Sequence, residues 1–394
     1  MAHTDVSLTN LLNKIAEEQN YKNPDITINE ISSGGANYTS KLFTVVLRAQ
    51  NKEDLHLFAK VAVMSEKMRT EASASNTPIN IFDTEKFAYT KLWKIYSALE
   101  DKNGVPEEHR LLYTKCYGFD DTVYQEKLVL ENLLTQGYGP FDRFKSVDWA
   151  YASAAISECA KLHALSFAFR KENPDEFQKF LDMTKMDWAD MKMGPTLDNC
   201  VKSALKLIKP QNKQAFENML KNPLDMMVKL YTPVRTNAII HGDFRGNNLL
   251  HRVREDGKVD IKVLDLQTLQ AGSPATDVVY FIIAGTDEQF RAQYYDKLIE
   301  HYYSELSASL RRLHLNPDEV YSREDFDYEL KEKLACGLVL ATFHLAVVLV
   351  DEEKAPQVDE NLRVDSFNVE NNSDLYSERL NGIVNDYVKW GILK

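Results

Sequence analysis

A short β-rich island inside an otherwise helical stretch is the feature of this chain that most restricts its fold. Residues 238–266 form strand-like apolar runs, while the sequence on both sides has helical periodicity. The island contains Asp256-Gly257, a dipeptide typical of a tight hairpin turn. Polar side chains follow the strand-like runs: Asp243 and Asn248 share one loop, and Asp265 comes after the returning strand. These three are therefore expected at the rims of short strands.

The N-terminal part of the chain has the pattern of an antiparallel meander. Leucines and an isoleucine at helical spacing predict an amphipathic helix over residues 5–20. Strand-like runs follow at Ile26–Ile31, Leu42–Leu47 and Leu55–Val63. The first two runs are separated by a turn of small residues, 32–37, that includes Gly34 and Gly35. A helix is predicted next, over residues 79–98. Further strand candidates are Leu111–Tyr117, Thr122–Gln125 and Lys127–Leu130.

The character of the sequence changes after Glu131. Val147–Phe169 is rich in Ala and Leu and predicts a strong helix, and helices resume from Asp277 after the β island. The pattern indicates an α+β protein with two units: a sheet-rich one at 1–131 and a mainly helical one at 132–394.

Composition excludes several classes of protein. The chain has 394 residues and a formal net charge of −12, which disfavours a nucleic-acid binder and docking on anionic lipid. The four cysteines are widely spaced and form no CxxC pair, so they indicate reduced thiols rather than a disulfide framework or a zinc site. No obligate protein partner is evident.

The hydropathy pattern predicts a cytoplasmic protein. The polar N-terminal segment lacks the apolar core of a signal peptide. The longest apolar run, Leu334–Val350, is short for a membrane span and is interrupted by polar residues such as Thr342 and His344. We expect it to form a buried core helix. The acidic and polar segment that follows, Asp351–Asp374, is expected to be a surface loop.

The polar residues of the β island have the chemistry that phosphoryl transfer needs. That reaction requires metal ions on the phosphates and a carboxylate that orients the attacking hydroxyl. Mg²⁺ prefers oxygen ligands, which the Asp265 carboxylate and the Asn248 amide would supply. A metal-free carboxylate such as Asp243 could accept the proton of the hydroxyl.

Two segments carry a clear resemblance to the kinase superfamily. The run His241-Gly-Asp-Phe-Arg-Gly-Asn-Asn-Leu-Leu250, followed by Val263-Leu-Asp-Leu-Gln267, resembles its catalytic and metal loops. The His-Gly-Asp form resembles the small-molecule branch, with choline kinases and aminoglycoside phosphotransferases. Four further segments look like the ecdysteroid kinase-like (CHK kinase-like) family: Gly35–Ser40, Leu130–Leu133, Lys161–Ser166 and Gly272–Phe281.

The resemblance implies a bilobal protein-kinase-like fold, with a small antiparallel-sheet N-lobe and a larger helical C-lobe. It implies ATP and Mg²⁺ as cofactors, a small-molecule alcohol as acceptor, and no nucleic-acid partner. Asp243 would be the catalytic residue, and Asn248 and Asp265 the metal ligands. The residues expected to bind ATP are Gly34, Gly35, Asn37, Ser40, Lys60, Glu85, Leu130, Glu131, Leu133 and Leu250. Among these, Lys60 would anchor phosphates, Glu85 would pair with Lys60, and Leu130–Leu133 would form the hinge beside adenine.

The chain departs from the family pattern in two places. Phe244-Arg245-Gly246 stands where aromatic and aliphatic residues are usual, and the metal loop reads Asp-Leu-Gln instead of Asp-Phe-Gln. The charged positions are retained. The first departure therefore bears on the acceptor and the shape of the loop more than on the reaction.

Several residues have competing interpretations. Asp83 and Glu71 are rivals to Glu85 as the partner of Lys60. His241 and His163 are expected to be structural, and Asp277 to brace the catalytic loop. Arg245 is interpreted as a phosphate or substrate contact or as a solvent-facing loop residue. The Met and Trp residues at Met183, Met186, Trp188, Met191 and Met193 either pack between helices or line a pocket for an apolar ligand.

The resulting expectation is a kinase that phosphorylates an ecdysteroid or a similar apolar hydroxylated compound. A choline- or ethanolamine-type kinase is the alternative within enzymes, and a ligand-binding pseudokinase is the alternative outside them.

Overall fold

The computed structural model describes residues 2–32, 39–71, 81–355, 366 and 369–394. Gly34, Gly35 and Asn37 of the expected phosphate loop lie outside the described residues. The elements near the N-terminus are α1 (Ala2–Glu18), β1 (Asp25–Ile31), β2 (Ser40–Arg48), β3 (Leu55–Ala62), α2 (Glu66–Glu71), α3 (Ile81–Phe87), α4 (Trp93–Lys102), β4 (Cys116–Asp120) and β5 (Lys127–Glu131).

The five strands form one antiparallel sheet in the order β1-β2-β3-β5-β4. Lys60 pairs with Leu42 of β2 and Leu128 of β5, so it stands in the middle of the sheet. The apolar face of α1 covers this sheet, where Leu12 and Ile15 pack among its buried side chains. A Cβ on Gly118 of β4 would lie 2.9 Å from Ile15 Cδ1, so glycine lets the helix approach closely.

Three local predictions in this region need correction. The strand expected over Leu111–Tyr117 begins only at Cys116, and Thr122–Gln125 forms a turn in which Tyr124 has a φ of 65°. The helix expected over 79–98 is observed from Ile81, but a π-helical turn at Ala88–Leu92 joins α3 to α4. Such turns insert one residue into the helical repeat, which a fixed period does not anticipate.

The C-terminal part is mainly helical, as predicted. Its helices are α5 (Trp149–Glu172), α6 (Pro174–Met183), α7 (Gly194–Leu207), α8 (Lys213–Met219), α9 (Pro223–Tyr231), α10 (Pro274–Gly285), α11 (Glu288–Arg312), α12 (Pro317–Val320), α13 (Arg323–Cys336), α14 (Leu338–Val348) and α15 (Asp374–Lys389). The central helix α5 begins where the Asp148 side chain accepts a hydrogen bond from the Tyr151 N–H, at 2.8 Å. It is buried along most of its length and packs against α4, α11 and the β island.

The β island contains two short antiparallel pairs. β6 (Ala238–Ile240) pairs with β9 (Gln270–Gly272), and β7 (Leu249–Val253) pairs with β8 (Val259–Val263). The second pair is the predicted hairpin, and Gly257 in its turn has a φ of 79°. The loop after β6 carries Asp243, and the loop after β8 carries Asp265, which contacts Lys60 of the sheet.

The apolar run Leu334–Val350 is buried as predicted, but it does not form a single helix. α13 ends at Cys336 and α14 begins at Leu338. A Cβ on the intervening Gly337 would lie 2.8 Å from both Tyr387 Oη and Val279 Cγ1, so the break lies at a point of close packing. Among the described residues, no helix has the length and apolarity to cross a membrane.

Candidate active site

A buried ion cluster joins the two lobes at Lys60. Its Nζ donates to Glu85 Oε2 at 3.0 Å and to Asp265 Oδ1 at 2.5 Å. The Lys60 side chain is 9% exposed. Burial lowers the pKa of Lys60, but the Asp265 and Glu85 carboxylates outweigh it and raise the pKa above its usual value. Lys60 is therefore a buried, fixed positive charge, and Glu85 is its partner on α3.

The backbone of Asp265 adopts a left-handed conformation. Its φ and ψ are 59° and 57°, in a region that Asp tolerates better than most residues. The residue lies two positions after the end of β8 and directly precedes a 3₁₀ turn at Leu266–Thr268. This conformation turns the chain sharply at the strand end and places the carboxylate against Lys60. Backbone outliers of this kind are concentrated at functional sites.

Asp243 is held by donors from three sides. Arg245 Nε lies 2.9 Å from Oδ1 and 3.1 Å from Oδ2, and Asn248 Nδ2 lies 2.8 Å from Oδ2. His344 Nε2 lies 3.4 Å from Oδ1. Burial raises the pKa of Asp243, but the Arg245 charge and the His344 contact outweigh it and hold the pKa well below its usual range. The carboxylate is therefore ionised at neutral pH.

Arg245 corrects one of the two interpretations made from the sequence. It is not a solvent-facing loop residue, because it is 6% exposed and its guanidinium packs on Asp243. Arg245 can pair with Asp243, only two residues earlier, because the loop bends into the 3₁₀ turn Gly246–Asn248 directly after Arg245.

His344 and Tyr280 are neighbours of Asp243 that sequence reasoning did not identify. His344 comes from α14, about a hundred residues after the loop that carries Asp243. The Tyr280 hydroxyl of α10 lies 2.8 Å from His344 Nδ1. The one signal in the sequence was that His344 interrupts an apolar run, which does not point to any partner.

The loop that carries Asp243 is braced from behind by Asp277, as predicted. Asp277 Oδ2 accepts from the His241 N–H at 2.7 Å, and Oδ1 accepts from the Gly242 N–H at 2.9 Å. His241 is structural: its Nε2 contacts Leu264 O at 2.8 Å and links the two loops. His163 is also structural, and both of its ring nitrogens form hydrogen bonds. Nε2 lies 3.0 Å from Asp277 Oδ2, and Nδ1 lies 2.8 Å from the Tyr302 hydroxyl.

Cys159, His163 and Asp277 are close enough together to suggest a metal site. However, both ring nitrogens of His163 already have hydrogen-bond partners, and all three residues are buried. This group is therefore better explained as core hydrogen bonding.

A cavity of about 680 Å³ lies between the lobes. This is within the usual range for small-molecule sites. Its wall includes eight of the residues predicted from the sequence, namely Lys60, Glu85, Leu130, Glu131, Leu133, Asn248, Leu250 and Asp265. Asp243 is not in this wall and lies behind Asn248. Ser40 is also outside the wall, since it is buried at the start of β2.

The cavity wall has an apolar part and a polar part. The apolar part includes Phe58 and Leu130, which pair across β3 and β5, and Leu250; the polar part includes Lys60, Asn248 and Asp265. Thr114, also in the wall, has a buried hydroxyl without a hydrogen-bond partner among the described residues. A wall with both parts suits a nucleotide, whose flat base and charged phosphates need different surroundings.

The side chain of the hinge residue Glu131 is held by two donors. Its Oε1 accepts from Lys262 Nζ at 2.7 Å, and Oε2 accepts from Gln136 Nε2 at 2.7 Å. Burial raises the pKa of Glu131, but these hydrogen bonds outweigh it and lower the pKa. Glu131 therefore ties the hinge to β8 of the C-lobe.

The family of the chain can be stated with this geometry in hand. Residues 34–315 match the ecdysteroid kinase-like family. This chain belongs to that family. Membership supports a small-molecule phosphotransferase. The matched segment contains Lys60, Glu85, Asp243 and Asp265, whereas His344 of this ecdysteroid kinase-like chain lies beyond it.

Solved aminoglycoside phosphotransferases resemble the chain at low identity. One from Streptomyces rimosus, in complex with ADP and streptomycin, is 12% identical with a TM-score of 0.36, covering 69% of this chain and 89% of that one. A second, in complex with GDP and kanamycin, is 11% identical with a TM-score of 0.38, covering 84% and 96%. A GDP complex of aminoglycoside 2'-phosphotransferase-IIIa is 11% identical with a TM-score of 0.37, covering 83% and 97%. No protein of curated function matches the chain.

Proposed function

We propose that this protein transfers the γ-phosphoryl group of ATP to the hydroxyl of a small-molecule alcohol. The observation that carries the proposal is that two clusters of charged and polar residues lie next to each other at the boundary between the lobes. Lys60, Glu85 and Asp265 form one, and Asp243, Arg245 and Asn248 form the other. The two meet where Asn248 and Asp265 share the wall of one cavity.

Lys60 is suited to bind phosphate oxygens. Its charge is held in place by Glu85, so little side-chain freedom is lost when a phosphate arrives. A fixed cation in a site sheltered from water stabilises the charge of a transferring phosphoryl group more than a mobile surface lysine would. The nucleotide base would lie against Leu130 and Leu250 in the apolar part.

Asp243 is suited to orient the acceptor hydroxyl. Its low pKa makes it a weak base, so it would accept the hydrogen bond first and take the proton only as the new O–P bond forms. In that step the bond from the γ-phosphorus to its bridging oxygen breaks, and its electron pair leaves with ADP. The acceptor proton passes to the Asp243 carboxylate.

The oxygen atoms available at the boundary between the lobes are suitable ligands for Mg²⁺. Asn248 Nδ2 is used by Asp243, at 2.8 Å, so the amide carbonyl oxygen is turned the other way. That oxygen and the Asp265 carboxylate are the hard ligands that Mg²⁺ prefers. A bound Mg²⁺ would neutralise charge on the phosphates.

We propose an ecdysteroid or a similar apolar alcohol as the acceptor, on family membership. A second cavity, of about 340 Å³, has both apolar and charged side chains in its wall and is a candidate position for the acceptor. Its wall includes Met186 and Trp188 from the Met- and Trp-rich segment. The Trp188 ring stacks on Tyr231 at 4.2 Å, and the Tyr231 hydroxyl donates to Gly242 O at 2.8 Å. The cavity therefore adjoins the loop that carries Asp243.

The decisive experiment is Asp243→Asn, assayed for ATP-dependent phosphorylation of an ecdysteroid panel with products read by mass. Loss of the carboxylate should lower kcat by roughly 10²- to 10⁴-fold, the usual contribution of a group that handles the proton. Nucleotide binding, measured by calorimetry, should persist because Asp243 is outside the nucleotide cavity. Asp256→Asn, at the exposed hairpin turn, is the matched control and should keep full activity.

Two results would contradict the proposal. Equal turnover in Asp243→Asn and the wild type would remove Asp243 from the mechanism. ATP binding without any phosphorylated alcohol, across ecdysteroids, plant alcohols, choline and aminoglycosides, would favour the pseudokinase alternative.

A further inference from the structure

The charge of Asp243 is cancelled by a residue that departs from the family pattern. Arg245 Nε contacts both carboxylate oxygens, at 2.9 and 3.1 Å, and the Arg245 side chain is 8% exposed. A guanidinium held this close in a buried site cannot be screened by solvent. An incoming acceptor therefore meets a neutral pair at Asp243 and not a free negative charge.

We propose that Arg245 sets the charge selectivity of the acceptor site, so that uncharged alcohols are accepted and cationic alcohols are not. This inference rests on the phosphotransferase function proposed above and adds the residue that selects the acceptor. A cationic alcohol such as choline carries its charge a few ångströms from the reacting hydroxyl. Its charge would lie beside the Arg245 guanidinium, and the attraction of Asp243 would already be offset.

Within the part of the chain that the structure describes, the nearby carboxylates of Asp265 and Asp277 are already engaged and do not restore a negative field beside Asp243. Asp265 is paired with Lys60 at 2.5 Å. Asp277 accepts from two backbone N–H groups and contacts His163. Asp351 and Glu352 line the cavity between the lobes, in whose wall Asp243 has no part.

Aromatic side chains near Asp243 do not form a cage for a cation. Recognition of a quaternary ammonium requires exposed ring faces. Tyr280 and Tyr231 lie near Asp243, but they are 1% and 5% exposed. His344 Nε2 lies 3.4 Å from Asp243 Oδ1, and the His344 side chain is 20% exposed. An acceptor hydroxyl can reach Asp243 from the His344 side without meeting a cation-binding surface.

The test compares choline with its uncharged carbon isostere, dimethylbutanol, as acceptors or as competitive inhibitors of ecdysteroid phosphorylation. The ratio of kcat/KM, or of inhibition constants, is measured for the wild type and for Arg245→Gln. Wild type should favour the uncharged member. Arg245→Gln leaves the Asp243 charge uncompensated, and should shift the ratio towards choline by roughly ten- to a hundredfold, from Coulomb attraction at short range.

Two further variants separate charge from loss of structure. Arg245→Lys keeps the positive charge and should keep the wild-type ratio, even if its turnover falls. Arg323→Gln removes a surface arginine that pairs with Glu300 and Asp327, and should change nothing. A wild type that prefers choline, or a ratio unchanged in Arg245→Gln, overturns the inference while the proposed function stands. If no alcohol is phosphorylated at all, the proposed function fails and the inference with it.

Discussion

At the scale of single residues, each of the two central carboxylates has its own buried cation. Asp265 contacts Lys60 and Asp243 contacts Arg245. Burying an ion pair brings little net stability, because desolvation offsets the attraction between the charges. Removing one partner is different, since it leaves a buried charge alone and costs about 3–5 kcal/mol. Buried ion pairs that add little stability but are costly to break are typical of functional sites.

The pKa of His344 leads to a prediction about stability. Burial lowers the pKa below its usual value of 6.5, and the contact with Asp243 only partly restores it. As the pH falls through about 6.5 the unfolded chain binds a proton that the folded protein does not, so the free energy of unfolding decreases. We expect His344→Gln to lose part of this decrease, measured by urea unfolding at about pH 5.5 and pH 7.5. An unchanged pH dependence in the variant would contradict the assignment.

At the scale of elements, the loop between β6 and β7 is fixed by its neighbours more than by its own sequence. Asp277 of α10 holds its backbone N–H groups, the Tyr231 hydroxyl of α9 donates to Gly242 O, and Thr268 Oγ1 donates to His241 O at 2.8 Å. Gly242 has a φ of 78° and lies so close to the next loop that a Cβ would be 2.6 Å from Thr268 O. The two loops that carry Asp243 and Asp265 are therefore packed as one unit.

Gly242→Ala tests that packing. The positive φ and the backbone contact should together destabilise the protein by about 1–3 kcal/mol. They should also lower kcat more than they raise the KM for ATP. Gly257→Ala is the matched control, since Gly257 has a φ of 79° but no atom within 4 Å of the added Cβ. Unfolding and kinetics of both variants separate the cost of the φ angle from that of the contact; equal effects would show that the contact is unimportant.

At the scale of the whole molecule, the two lobes are joined through the residues that surround the cavity. Lys60 of the sheet contacts Asp265 of the helical lobe, and Glu131 of the hinge contacts Lys262 of β8. Lys262 also donates to Tyr113 O at 2.7 Å. The orientation of the lobes and the shape of the cavity between them therefore depend on the same few ion pairs.

Lys262→Met should loosen the hinge. Glu131 would lose a charged hydrogen-bond partner, at a cost of about 1–3 kcal/mol. We expect a severalfold higher KM for ATP with a smaller change in kcat, measured by steady-state kinetics. Lys258→Met, at the exposed end of the same hairpin, is the control and should behave as wild type. A wild-type KM for ATP in Lys262→Met would show that this link does not shape the cavity.

The sequence by itself determined the features that depend on local pattern. Alternation and turn residues predicted the three strands of the N-terminal meander and the hairpin at Gly257. The proximity of Asp243, Asn248 and Asp265 could be predicted because Asp243 and Asn248 lie five positions apart in one loop and Asp265 follows the strand that returns beside them. Lys60 and Glu85 were identified through family resemblance, and the fold then placed them in contact. Their roles towards ATP, and those of Gly34, Gly35 and Asn37, stay predictions.

Other features were decided only by the tertiary structure. The local sequence around Arg245 does not determine whether its side chain is buried or exposed. The packing around the loop places the side chain against Asp243. His344 reaches Asp243 because α14 packs against α10, a contact between segments about sixty residues apart. Gly337 interrupts an apolar run because Tyr387 and Val279 leave no room for a side chain. In each case the deciding energy comes from burial and contact between distant segments, which no local pattern records.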